Sequence, residues 1–241
     1  MQSIARSFGL LWDGLFLQRD AYAHMRDDDN PFVEGLFILV LLGVLLAVAG
    51  IIGTTLEWAS SPNLNTVRDV VLNNLQNMEW YRSMQLAPGG ESTFLQIWNG
   101  IWNAFASMAP SPVRSLAGII TRPLALIVFW LVFGSLAYLF ARVFGGKGTL
   151  NQTLGATALA SGPQLLTLVT VLPFVTIAGL GTWTLLCSYM ALRTVHDLSW
   201  PRAVFAVLLP PLIIGLVIGL IVSAVLAVGI AVAAASFGGG M

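Results

Sequence analysis

Cys187, Ser188, His24 and His196 are the side chains whose types could start a reaction, in a chain with one cysteine and two histidines. A thiol or hydroxyl nucleophile needs a base within hydrogen-bond reach. His196 stands nine residues beyond Cys187, about 13 Å along a helix, and Ser188 is placed no better. His24 and His196 fall on the same side of the membrane in the reading below, but two imidazoles without a placed carboxylate make a poor metal site. Asp27, Asp28 and Asp29 are adjacent, so on a loop their carboxylates point apart. Ahead of Asn30-Pro31 they read as negative charge at a helix N-terminus, with Asn30 the cap and Pro31 the first helical residue. Gly145-Gly146-Lys147-Gly148 starts like a phosphate loop, yet Gly148 follows the lysine where Ser or Thr belongs, and Ala141 replaces the first glycine. No enzyme activity, cofactor or metal is expected, and a lone cysteine forms no internal disulfide.

The elements that carry these residues belong to a membrane protein. Of 241 residues 57% are apolar and 9% charged, with 11 basic and 11 acidic side chains. About a quarter of an ordinary globular protein is charged, so this composition excludes disorder and nucleic-acid binding and argues against a soluble enzyme. Five apolar runs are long enough to cross a bilayer: 35–56, 123–140, 151–172, 174–192 and 199–235. A turn at Pro173 separates the third from the fourth. The last would be about 55 Å long as one helix, and Pro210-Pro211 is the expected place for it to break. The chain thus reads as an all-α polytopic membrane protein, a bundle of five transmembrane helices with amphipathic interfacial helices. Residues 1–30 form a cytoplasmic amphipathic segment, 31–56 the first span, 57–122 an extracytoplasmic loop and 123–241 a four-span part.

Basic residues set the orientation. Arg6, Arg19 and Arg26, then Arg142 and Lys147, then Arg193 and Arg202 fall on one side of a five-span chain. The turn after the third span and the tail Gly238-Gly239-Gly240-Met241 carry none. The N-terminus is therefore expected in the cytoplasm and the C-terminus outside, in the cell membrane. Arg68, Arg82, Arg114 and Arg122 in the long loop are the contrary evidence.

Ile4, Phe8, Leu11 and Leu15 recur at helical spacing, which suits a helix lying in the headgroup layer or packed on the protein itself. Two patterns fill the long loop. Val67, Val71, Leu75, Met78 and Tyr81 form one stripe; after Pro88-Gly89-Gly90 a stronger one runs through Phe94, Ile97, Trp98, Ile101, Trp102, Phe105 and Met108. Trp98 and Trp102 are a candidate interface with lipid or a partner.

The third run is the most polar, with Thr153, Thr157, Ser161, Gln164 and Thr167 on one helical face and a break expected at Pro163. That face should avoid lipid, either by packing on neighbouring helices or by lining a path for a small polar substrate. Gly43, Ala47 and Gly50 in the first run, and Gly215 with Gly219 in the fifth, supply small-residue faces for bundle packing or an oligomer.

From the third run onward the chain resembles the Yip family, the Ypt/Rab-interacting membrane proteins. The similarity lies in Gly145 to Leu154, in Ser161-Gly162-Pro163-Gln164-Leu165-Leu166, and in Leu192 to Ser199 followed by Arg202-Ala203. Asn30-Pro31-Phe32 fits more loosely. The resemblance implies a five-span bundle with a cytoplasmic N-terminus, and its eukaryotic members bind prenylated Rab-type GTPases in vesicle traffic. Those members have Gly-Tyr where this chain has Ala158-Leu159, and a sizeable hydrophilic domain ahead of the first span. One lysine against ten arginines suggests a bacterial member. The expected function is that of a scaffold or accessory subunit binding other membrane components. Its partners would be membrane lipids and other membrane proteins or a second copy. The alternative is a transporter or lipid-handling protein using the polar face of the third span.

Overall fold

A computed structural model describes residues 2–172 and 175–238, with side chains described over 4–172 and 175–231. The expected turn at Pro173, the start of the fourth span at Phe174 and the tail Gly239-Gly240-Met241 lie outside the described residues. The described residues are mostly helical and contain no strand. The chain divides into two compact units, Met1–Leu46 with Ile120–Thr167 and Ile177–Met241, and Ala47–Ile119 with Leu168–Thr176.

In the first unit α1 (Gln2–Leu15) and α2 (Arg19–Arg26) precede α3 (Pro31–Ser60). The C-terminal half of the apolar stripe of α1 is used on the protein, while Ile4 is exposed and Phe8 half-buried. Leu11 and Leu15 are buried, and Leu11 joins Tyr22, Met25, Ile38, Leu42, Leu159 and Ala191 in one core. The fit depends on two glycines. A Cβ on Gly14 would meet Leu159 Cβ at 3.1 Å, and one on Gly162 would meet the Leu11 carbonyl oxygen at 2.8 Å. The last carbonyls of α1 are taken from outside the helix: Tyr22 Oη donates to Gly14 O at 2.7 Å and Trp183 Nε1 to Leu15 O at 2.8 Å. Burial holds the Tyr22 phenol protonated.

The other elements are α8 (Gly118–Val143), α9 (Leu150–Leu159), a 3₁₀ segment Gly162–Val171, α10 (Leu180–His196) and α11 (Trp200–Gly238). Among the described residues four stretches are long and apolar enough to cross a membrane: Pro31–Gln76, Gly118–Val143, Leu150–Val171 and Trp200–Ala231. α10, at 17 residues, is shorter and starts later than the apolar run suggested; it packs against α2, α9 and α11. Arg122, placed ahead of the second span by sequence, lies inside α8 and donates to Leu46 O at 3.0 Å. The second unit holds α4 (Leu64–Gln76), α5 (Glu79–Gln85), α6 (Gly90–Met108) and α7 (Pro112–Leu116), four helices where two patterns were read. Gly89 at φ 75° makes the turn into α6.

The break expected at Pro210-Pro211 does not occur: α11 is helical for 39 residues with both prolines inside it. Each proline removes a donor and crowds the carbonyl four residues back. Prolines are tolerated inside membrane-spanning helices, and the apolar run offers no competing cap or turn that would end the helix there. At Pro163 the outcome is different. α9 ends at Leu159, and the chain resumes from Gly162 as a 3₁₀ segment, seated against the backbone of α1.

Candidate functional site

Two features of the first unit bring polar groups together. The first is a joint built on His196, which follows the apolar part of α10. α8 ends in a Schellman turn: Gly145 takes φ 89°, its N–H donates to Arg142 O, and Gly146 N–H donates to Ala141 O at 2.8 Å. The turn lays bare backbone on the imidazole. A Cβ on Gly146 would meet His196 Nδ1 at 2.6 Å, and one on Gly148 would meet Val195 Cγ1 at 2.5 Å. Gly148 N–H donates to His196 Nδ1 at 3.1 Å. The neutral ring therefore carries its proton on Nε2, which donates to Thr153 Oγ1 at 2.8 Å, and Thr153 in turn donates to Thr149 O at 2.7 Å. Burial, with a smaller contribution from the Arg142 charge, lowers the His196 pKa to about 4.

The same segment ties down the first three helices. Thr149 and Gln152 form a capping box at the start of α9, and Gln152 Nε2 donates to Arg26 O at 3.2 Å. Asn151 Oδ1 accepts from Phe32 N–H at 2.8 Å, so the side chain capping the first turn of α3 is Asn151. Asn30, expected in that role, contributes its backbone carbonyl to Val33 and Glu34. A Cβ on Gly155 would meet Pro31 Cβ at 2.5 Å, which sets the close approach of α9 to α3. Arg26 forks onto Asp27 at 2.7 and 2.8 Å, holding that carboxyl below its usual range. Asp28 pairs with Arg6 at 3.4 Å, and Arg6 also donates to His24 at 2.6 Å. Asp27 and Asp28 thus turn to different arginines, and His24 and His196 to different groups. Among the described residues no three His, Cys, Asp or Glu side chains group as metal ligands.

The second feature is a crevice of about 350 Å³ between α8, the α9 break, α10 and α11. Of the expected polar face, Thr157, Ser161 and Gln164 line it, joined by Thr184 and Ser188. Thr153 does not; it is buried in the His196 joint. Thr167 donates to Gln164 O at 2.6 Å and is not among the lining residues. Trp130 forms part of the opposite wall, its Nε1 donating to Leu154 O at 2.9 Å.

The remaining candidates are spread out. Cys187 is buried beside Gly14 O at 3.6 Å, and Ser188 donates to Thr184 O at 2.8 Å. Trp98 and Trp102 lie in the second unit, in a ladder from Tyr81 through Phe94 to Phe105 with ring centroids 5.2 to 5.9 Å apart. Gly43 packs on Pro123, whereas Gly215 and Gly219 have no described atom within 4 Å of a Cβ position. Asn151, Gly155 and Tyr22 were not singled out from sequence. The Thr149-x-x-Gln152 spacing was a readable signal for the start of α9.

A family model described as Yip1 domain matches residues 12–223. No curated protein and no solved structure matches the chain. The match covers the first unit's joint, break and crevice, and says nothing of the bacterial origin suggested by the arginine bias.

Proposed function

The chain belongs to the Yip1 domain family, and from that premise we propose that this all-α, multi-pass membrane protein is a non-enzymatic scaffold or accessory subunit that binds other membrane components. The observation that carries the reading is α11 beyond Pro211. From Leu212 to Ala231 nearly every side chain is exposed, Leu216 and Leu220 by more than 60%, and Gly215 and Gly219 stand open one turn apart. This is more apolar helix than the first unit itself uses, with a small-residue face of the type that lets helices approach closely. Cys187 and His196 support the non-enzymatic reading because each is engaged in contacts between helices, and Ser188 donates within its own helix.

The orientation belongs to the same proposal: N-terminus in the cytoplasm, C-terminus outside, in the cell membrane. Its support is the convergence of basic side chains at the joint, where Arg26 donates to Thr194 O and Arg142 to Gly146 O, each at 3.2 Å. A photo-crosslinking residue at Gly219, activated in the native membrane, tests the scaffold reading. A discrete protein adduct supports it, and lipid adducts alone contradict it.

A further inference from the structure

The crevice in the first unit has the chemistry of a ligand site, and its argument does not depend on the scaffold reading. Three of its polar groups already have acceptors for their protons: Thr157 donates to the Thr153 and Leu154 carbonyls, Thr184 to Leu180 O, and Ser188 to Thr184 O. Two do not. Neither the Gln164 carboxamide nor the Ser161 hydroxyl bonds to any described residue, though both line the crevice. A primary amide and a hydroxyl facing an apolar space among spanning helices are costly unless something hydrogen-bonds them.

Three properties narrow what that something is. No charged side chain and no histidine is among the lining residues, so an ionised group would enter without a counter-charge. The facing wall of Leu126, Phe129, Trp130 and Phe133 is apolar and aromatic. The volume of about 350 Å³ lies at the small end of ligand pockets, a size that suits one hydrocarbon chain better than a two-chain lipid. We propose that the crevice binds a neutral single-chain lipid. Its hydroxyl or ester group is hydrogen-bonded by Gln164 and Ser161, and its hydrocarbon lies along Phe129, Trp130 and Phe133.

The test uses the full chain in nanodiscs and a monoacylglycerol carrying a photoactivatable diazirine in its chain, with peptide mapping of the adducts. The expected result is labelling of peptides spanning 126–133 and 181–188 that excess unlabelled monoacylglycerol removes and the ionised fatty acid of equal length does not. Gln164→Leu should weaken labelling about fivefold, the worth of one neutral hydrogen bond. Gly181→Phe, placed where a Cβ meets nothing within 4 Å, should fill the crevice and reduce labelling to background with the thermal midpoint unchanged. Unsaturable labelling spread along 212–231 would overturn the site. Competition by the fatty acid anion equal to that by the neutral lipid would overturn its neutral class. Since the competition arms use the wild-type chain, they decide the matter even if a variant fails to fold.

Discussion

His196 and Thr153 are joined by a 2.8 Å hydrogen bond from Nε2 to Oγ1, which pins the end of α10 to the first turn of α9. Both partners are nearly fully buried, so the bond cannot be exchanged for one to water. Thr153→Val keeps the shape and removes the acceptor, leaving an unpaired N–H. A loss of about 1–3 kcal/mol follows, visible as a lower thermal midpoint in detergent; an unchanged midpoint would contradict the joint.

The same histidine gives the bundle a pH dependence. Its pKa falls from 6.5 to about 4 on folding, so between those values the unfolded chain binds a proton that the folded chain refuses. Stability therefore declines as pH drops from about 6.5 toward 4 and is insensitive to this group above that range. His196→Gln should flatten that part of the profile, measured as thermal midpoint against pH.

Two glycines separate packing from spare surface. Gly155→Ala forces a Cβ into Pro31 and should cost about 1–3 kcal/mol. Gly215→Ala meets nothing and should stay within about 0.5 kcal/mol. Equal destabilisation by the two would refute the contrast between the α9–α3 contact and open α11.

Orientation is open to cysteine accessibility in a Cys187→Ala background. Gly146 is unsuitable as a reporter because its Cβ would press on His196; Lys147 is exposed and serves instead. A membrane-impermeant reagent applied outside should modify Ser92→Cys and spare Lys147→Cys. The reverse pattern would invert the topology.

The helical, membrane-spanning character was legible because uninterrupted apolar length reports directly on the solvent a segment occupies. The 145–154 and 161–166 motifs were visible too, yet their roles were not. Asn30 stood in the expected capping position, but Asn151 reaches Phe32 from 119 residues away, a pairing that no local rule contains. The stripe of α1 suited lipid and protein equally, and the burial of its Leu11 and Leu15 depends on Gly14 and Gly162 meeting distant partners. Pro163 and Pro210-Pro211 looked alike as helix breakers. They diverge because Gly162 lets the chain sit on the α1 backbone, while the run around Pro210-Pro211 has no cap or turn that would end α11. The polar face of the third run divided between two uses, Thr153 toward His196 and Gln164 toward the crevice, a split set by where α9 ends.

The scaffold claim is tested most directly by the mass of the intact particle, purified from its own membrane in mild detergent, with every co-purifying chain identified. The account predicts a stoichiometric assembly with other subunits or a second copy that dissociates when Gly215 and Gly219 are both changed to leucine, without loss of thermal stability. A solitary monomer of 25.8 kDa, stable and unaffected by those changes, would contradict it.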